Sequence, residues 1–178
     1  PIQDADQRLR QRDWTYQSGR QLHGEIAGEV IGLVGYGHIS RTIAKCASAF
    51  GMHVHVVNRS KVPTSDLVEQ SFDLNELQQF VSGVDYVVVA LPHTPETEGL
   101  IDSKVFAAMR SNAYLCNVGR GPVVDEKALF DALKDGRIRG AAIDTWYVYP
   151  SATDTGPSPG VLPFETLSNL TMTPHMSG

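Results

Sequence analysis

The sequence is poor in cysteine, in long apolar runs and in surplus cations, and each shortage removes a class of protein. Only Cys46 and Cys116 occur among 178 residues. No disulfide framework is expected, and both read as buried small hydrophobes in a reducing compartment. The longest unbroken apolar run, Tyr86–Leu91, has six residues. A spanning helix needs roughly 18 to 20, so no membrane partner is expected. The chain opens on Pro1 without a charged-then-apolar leader, so a piece of a longer cytoplasmic protein is expected. Lys and Arg number 15 against 20 Asp and Glu, a net charge of −5. That balance argues against a nucleic-acid partner, because duplex affinity rests on a basic surface.

What is present reads as one globular unit. Hydrophobic residues make 42% of the chain and glycine adds 16 positions, the usual proportion for a packed domain. Residues 1–24 are polar, with Arg8, Arg10, Arg12 and Arg20, and read as a partly helical arm and loop. Residues 25–178 alternate regularly. Val30–Gly35 is a short apolar run bounded by glycine, the mark of a buried parallel strand. Ile39, Ile43, Ala47 and Phe50 follow at helical spacing, closed by Gly51. Val54–Val57, Tyr86–Leu91, Ala113–Val118, Gly140–Ile143 and Leu170–Thr173 read as further strands. Helices are expected from Asp73, where Asp73 and Glu76 form a capping box, and over Ser103–Arg110 and Asp125–Asp135. Alternating strands and helices call for an α/β fold, a doubly wound parallel sheet of Rossmann type. Such a sheet binds ligands beyond the carboxyl ends of its strands.

The loop after the first strand carries the chemistry. In Gly35-Tyr36-Gly37-His38-Ile39-Ser40, Gly35 permits a tight turn and Gly37 a close backbone approach by a pyrophosphate. The helix beginning near His38 and Ile39 offers unpaired N–H groups to that anion. Ser40 takes the third position, which is usually glycine, and is small enough for close packing. At the end of the second strand, where an acidic residue would bond the ribose 2′-OH, the chain reads Asn58-Arg59-Ser60-Lys61. Without that acid, Arg59 can pair a 2′-phosphate, so NADP is expected slightly ahead of NAD. His53 and His55 alternate along one strand and read as space-filling. His23, His38 and His93 lie without ligand-spaced partners, so no metal is expected.

Five motifs in one order complete the reading: the glycine loop, Leu91-Pro92-His93-Thr94-Pro95-Glu96-Thr97, Asn117-Val118-Gly119-Arg120-Gly121, Gly140-Ala141-Ala142-Ile143-Asp144, and Thr173-Pro174-His175. With them the chain resembles the nucleotide-binding domain of the D-isomer-specific 2-hydroxyacid dehydrogenases. The resemblance implies that Arg120 grips a substrate carboxylate and that His175 exchanges a proton with the substrate oxygen. It places Gly35, Gly37, His38, Ile39, Asn58, Arg59, Ser60, Leu91, Pro92, Thr97, Val118, Gly119, Asp144 and His175 along NAD or NADP, with Asp144 near the nicotinamide end. It further implies a small 2-keto or 2-hydroxy acid as substrate, a homodimer formed through this domain, and a substrate domain lying outside the chain. On that reading the chain alone turns over little. One position departs from the pattern: the family's histidine-paired Glu is Tyr149 here. Formate dehydrogenases, which also lack that carboxylate, are therefore an alternative resemblance, and a dinucleotide-sensing module like the family's co-repressors is another.

Overall fold

A computed structural model describes residues 2–15 and 25–177; Arg20, His23 and Gly178 lie outside them. Helix α1 spans Ile2–Arg10 and is mostly exposed, braced by an Asp6–Arg10 ion pair. The rest is built on seven strands: β1 Val30–Val34, β2 His53–Asn58, β3 Gln70–Asp73, β4 Tyr86–Val89, β5 Tyr114–Asn117, β6 Gly140–Ile143 and β7 Leu170–Met172. They form one sheet in the order β3-β2-β1-β4-β5-β6-β7, every pair parallel. The expected doubly wound parallel sheet is present. Its strand order reverses between β1 and β4, which sets the ligand crevice beside the glycine loop.

Among the described residues four helices flank the sheet: α2 His38–Ala49, α3 Leu77–Ser82, α4 Ser103–Ala108 and α5 Glu126–Lys134. On one side α3, α4 and α5 bury Phe80, Phe106 and Leu129 against Val89, Leu115 and Ile143. On the other, α2 sets Ala44 and Ala47 against Leu33, Val54 and Val56. Each fully buried Leu or Phe contributes roughly 1.5–3 kcal/mol. At the amino edge, the buried Asp85 carboxylate accepts from Val30 N at 3.0 Å and Arg110 Nη1 at 2.5 Å. One acid there joins the starts of β1 and β4 to the exit of α4.

The structure corrects four expectations. β3 was not anticipated; its Gln70-Ser71-Phe72-Asp73 has no apolar run, and pairing with β2 makes it an edge strand. The capping box at Asp73 is present, followed by a short 3-10 turn before α3. On α2, Ile39 (48% exposed) and Phe50 (64% exposed) face outward, while Ser40, Ala44 and Ala47 meet the sheet. Close helix–sheet approach selects small side chains there, so the larger ones are turned away. Cys46 lies on the same outward side and is exposed, whereas Cys116 is partly buried. Burial pushes the Cys116 thiol up, helped slightly by the Asp144 charge. His53 is not space-filling: it pairs with Glu69 at the surface, Nδ1 to Oε1 2.6 Å, and only His55 is buried.

Candidate functional site

The sequence-chosen residues fall in a row along the carboxyl edge of the sheet, in the order that the strands dictate. Asn58 ends β2 and Arg59 and Ser60 follow it, Gly35–Ile39 follow β1, and Leu91 and Pro92 follow β4. Val118–Arg120 follow β5, Asp144 follows β6, and His175 stands beyond β7. Adjacent strands lie about 4.8 Å apart, so Arg59 and His175 mark the ends of a crevice on the order of 20–25 Å long.

At the switch point the two glycines differ in kind. Gly35 has φ +90°, a left-handed conformation, and a Cβ there would meet Leu91 Cδ2 at 2.6 Å. Gly37 has φ −84°, and nothing lies within 4 Å of where its Cβ would be. The fold therefore demands Gly35, but leaves Gly37 an open approach. Behind Gly37, α2 begins with no side-chain cap and no acid in its first turn, so His38 and Ile39 open an uncapped helix end. An anion approaching Gly37 meets those N–H groups and the positive end of a 12-residue helix. The bare Gly37 and the uncapped helix fit a pyrophosphate. Ser40, fully buried, supplies the close packing expected of the third position.

At the β2 end, Asn58 Nδ2 donates to Ser60 O at 2.9 Å and folds the turn that carries the exposed Arg59. Among the described residues Arg59 forms no ion pair. Its charge adds the smallest of the influences on Glu96, whose carboxyl is held below its ordinary range first by Thr94 and by a backbone N–H. In the β4 loop, Thr97 Oγ1 donates to Pro92 O at 2.7 Å and accepts from Thr94 N at 2.8 Å. The Thr97 hydroxyl thus folds its own loop. His93 has a carboxylate neighbour after all, Glu98, at 3.7 Å. Among the described residues no cluster of three His, Cys, Asp or Glu is placed to hold a metal.

The loop after β5 presents Arg120. Buried Asn117 ties it on both sides: its Oδ1 accepts from Gly119 N at 3.1 Å and its Nδ2 donates to Arg120 O at 3.1 Å. Gly119 packs on the Leu91 backbone, and a Cβ at Gly121 would strike the Trp146 carbonyl oxygen. Arg120 is therefore held between the exits of β4 and β6, exposed, with Nη1 donating to Gly119 O at 2.7 Å. Asn117 and Gly121 stand in the quoted motif, yet sequence reasoning assigned them no role. The Asn-x-Gly spacing, which favours a side-chain-closed turn, was the signal that could have found Asn117.

At the far end, His175 sits at φ +58°, where non-glycine residues are uncommon. Asp144, 6% exposed, accepts from Met176 N at 2.9 Å, Ser177 N at 2.7 Å, and the hydroxyls of Thr173 and Ser177. Burial works to raise its pKa, but the bonds from Ser177, Thr173 and Met176 prevail and hold the carboxyl well below its ordinary range. Trp146 Nε1 donates to Thr173 O at 2.8 Å, a second tie to the same loop. The Tyr149 hydroxyl accepts from Trp146 N at 3.0 Å, and its ring lies 5.5 Å from the His175 ring, tilted by 46°. The Tyr149 ring, read in sequence as standing in place of a paired carboxylate, thus lies beside His175.

Residues 1–177 match the family model described as D-isomer specific 2-hydroxyacid dehydrogenase, NAD binding domain. A Schizosaccharomyces pombe protein, provisionally named a D-3-phosphoglycerate dehydrogenase, is 36% identical over 159 residues, 86% of this chain and 34% of that protein. A D-isomer specific 2-hydroxyacid dehydrogenase from Xanthobacter autotrophicus Py2, solved with NADPH and MES, superposes with TM-score 0.80 at 31% identity. That match covers 99% of this chain and 52% of the other. A formate dehydrogenase from Granulicella M. reaches TM-score 0.82 at 24% identity, over 98% of this chain and 45% of that one. At that identity it shows the shared fold alone. The chain spans between about a third and about half the length of these relatives.

Proposed function

The chain belongs to the D-isomer specific 2-hydroxyacid dehydrogenases as their NAD-binding domain, and from that premise we propose that it is the cofactor-holding half of an enzyme that reduces small 2-keto acids. The observation that carries this reading is the unobstructed Gly37 in front of an uncapped helix at the switch point of the sheet. The N–H groups of α2 hold the pyrophosphate, and the Asn58–Ser60 turn meets the adenosine ribose. Arg59 offers a 2′-phosphate charge-assisted bonds worth roughly 1.5–3 kcal/mol, so NADPH binds at least as well as NADH. The NADPH-bound relative supports that preference.

Val118 and Gly119, next to Arg120 in the loop after β5, would help to hold the cofactor, and Asp144 would stand near its nicotinamide end. When bound, the reduced cofactor supplies a hydride to the substrate's C2. The Arg120 guanidinium presents a planar donor fork to the substrate carboxylate and keeps its charge. His175 delivers a proton to the oxygen of C2 as the alcohol forms. A second domain must close over these groups to exclude water, so the chain alone turns over little.

In the full-length parent, Arg120→Ala removes most glyoxylate or hydroxypyruvate reduction and leaves cofactor affinity nearly unchanged. Equal loss of both would assign Arg120 to the cofactor instead. The packing of Tyr149 on His175 favours one second reading, oxidation of formate, which needs no proton acceptor at the reacting carbon. Formate-dependent reduction of NAD(P) by the parent distinguishes the two.

Two coarser properties complete the proposal. Among the described residues no helix is long and apolar enough to cross a membrane, and we place the protein in the cytoplasm, where its free cysteines stay reduced. We also propose a homodimer formed through this domain. The outward stripe of α2, with Ile39, Cys46 and Phe50 exposed, supports it, and Phe50→Glu should yield monomers by light scattering.

A further inference from the structure

We infer that Glu126 is a positioning residue for the Tyr149–His175 pair: from the start of α5 it fixes the loop between β6 and β7, and that loop carries Tyr149. The inference rests on the acid/base reading of His175 given above. Its ground is the destination of the Glu126 carboxylate. An acid in the first turn of a helix commonly serves the helix itself, through its N–H groups or its dipole. In α5 the capping is done by Asp125, whose Oδ1 accepts from Ala128 N at 2.7 Å. Glu126 reaches instead to a segment 35 residues further along the chain. There its Oε1 accepts from Val161 N at 2.5 Å and from Leu162 N at 3.0 Å. Buried Gly160 makes room for it, since a Cβ at 160 would strike the same oxygen. Hydrogen bonds to an ionised acceptor are about twice as strong as neutral ones, so this is a firm tie.

The loop passes that hold on to the histidine. Pro159 O, next to Gly160, accepts from Tyr147 N and Val148 N, both at 3.1 Å, and so binds the returning limb to the limb that leaves β6. Tyr149 comes next in the chain, its hydroxyl fixed by Trp146 N at 3.0 Å and its ring 5.5 Å from the His175 ring. Residues 150–156 are exposed, and the hydrogen bonds of 151–156 run only among themselves, so they give Tyr149 no support. The chain between Arg120 and Glu126 also meets the outgoing limb directly: Val124 O accepts from the Tyr147 hydroxyl at 2.9 Å, and Gly121 packs on the Trp146 carbonyl. Those contacts hold the limb before Tyr149. Glu126 holds the limb that closes over it, and thereby links the segment after Arg120 to the side of the site where His175 stands.

The test uses the 178-residue chain with 13C-labelled tyrosine and histidine rings, the two signals being assigned by Tyr149→Phe and His175→Gln. Both loop N–H groups bond to one oxygen, so an amide of the same length can replace the carboxylate, whereas a shorter acid falls short of them. Glu126→Ala should weaken the Overhauser contact between the two rings at least twofold and speed amide exchange at Val161 and Leu162 at least tenfold. Exchange at Leu33 should stay unchanged. Glu126→Gln should keep these signals close to those of the unaltered chain, and Glu126→Asp should behave as the alanine variant does. Gly160→Ala, which displaces the carboxylate from the loop side, should move them in the same direction and add little to Glu126→Ala. In the full-length parent, Glu126→Ala should lower kcat at least fivefold with the cofactor KM within twofold, and Glu126→Gln should keep kcat within twofold. Ring signals unmoved in both Glu126→Ala and Gly160→Ala overturn the proposal. So does preservation by Glu126→Asp and not by Glu126→Gln, which returns Glu126 to the dipole of α5. A parent carrying His175→Gln with full turnover would overturn only the acid/base reading, because the ring measurements do not depend on turnover.

Discussion

The backbone of Gly119 lies so close to that of Leu91 that a Cβ at 119 would stand 2.5 Å from the Leu91 carbonyl oxygen and 2.8 Å from its amide nitrogen. Both obstacles are main chain, so no rotamer change relieves them. Gly119→Ala must part the exits of β4 and β5, at about 1–3 kcal/mol for overpacking a tight site. Urea denaturation should show that loss, together with weakened NADPH binding. An alanine variant of unchanged stability would mean that the two loops move apart freely.

Arg59 should decide between the two cofactors. Arg59→Ala removes the charge-assisted bonds to a 2′-phosphate, a loss of roughly 10- to 100-fold in NADPH affinity. NADH affinity should change less than threefold. Fluorescence titration of both cofactors measures the pair, and equal losses for both would refute the assignment.

Tyr149→Glu should restore a carboxylate beside His175. A carboxylate favours the charged imidazole, so the titration midpoint of His175 should rise relative to the unaltered chain. Proton NMR of the ring reads it directly. An unmoved midpoint in a folded variant would show that position 149 does not reach the ring.

His55 gives the fold a pH dependence. Burial in β2 pushes its pKa down; Glu69 opposes the shift, while His53 and Arg110 add to it. A folded-state pKa below the unfolded one means that the folded chain binds fewer protons. Stability is therefore lost as pH falls below about 6.5. Thermal melts at pH 7.5 and 5.5 should show a smaller difference for His55→Gln than for the unaltered chain. Identical differences would assign the acid sensitivity elsewhere.

The parts of this fold that are legible in sequence are those where one side-chain pattern has one structural meaning. Tyr86–Val89 is a run too short for a helix and too apolar for a loop, and it is a central strand. Asp73 and Glu76 form the capping box that their spacing announces. The edge strand Gln70–Asp73 is held by backbone pairing to His55–Asn58, and no side-chain pattern records that. On α2 the apolar periodicity points to Ile39, Ile43, Ala47 and Phe50, but only Ile43 and Ala47 of these pack on the sheet, beside Ser40 and Ala44, while Ile39 and Phe50 are exposed. Hydrophobicity alone does not reveal how near two backbones come. The site divides in the same way. Gly35 and Gly37 follow from local chemistry and Arg120 from the resemblance alone, but the ties from Asp144 and Trp146 to the His175 loop join residues about thirty positions apart. Only the β6–β7 pairing brings them together.

The account turns on whether the open space at Gly37 is there for a dinucleotide. A Cβ at 37 has nothing within 4 Å, and φ −84° suits any residue, so Gly37→Val should fold as the unaltered chain does. Calorimetric titration with NADPH is the direct measurement. The unaltered chain should bind one equivalent saturably, and Gly37→Val should lose that binding with its thermal midpoint preserved. Absence of binding by the unaltered chain, or undiminished binding by Gly37→Val, would contradict the account.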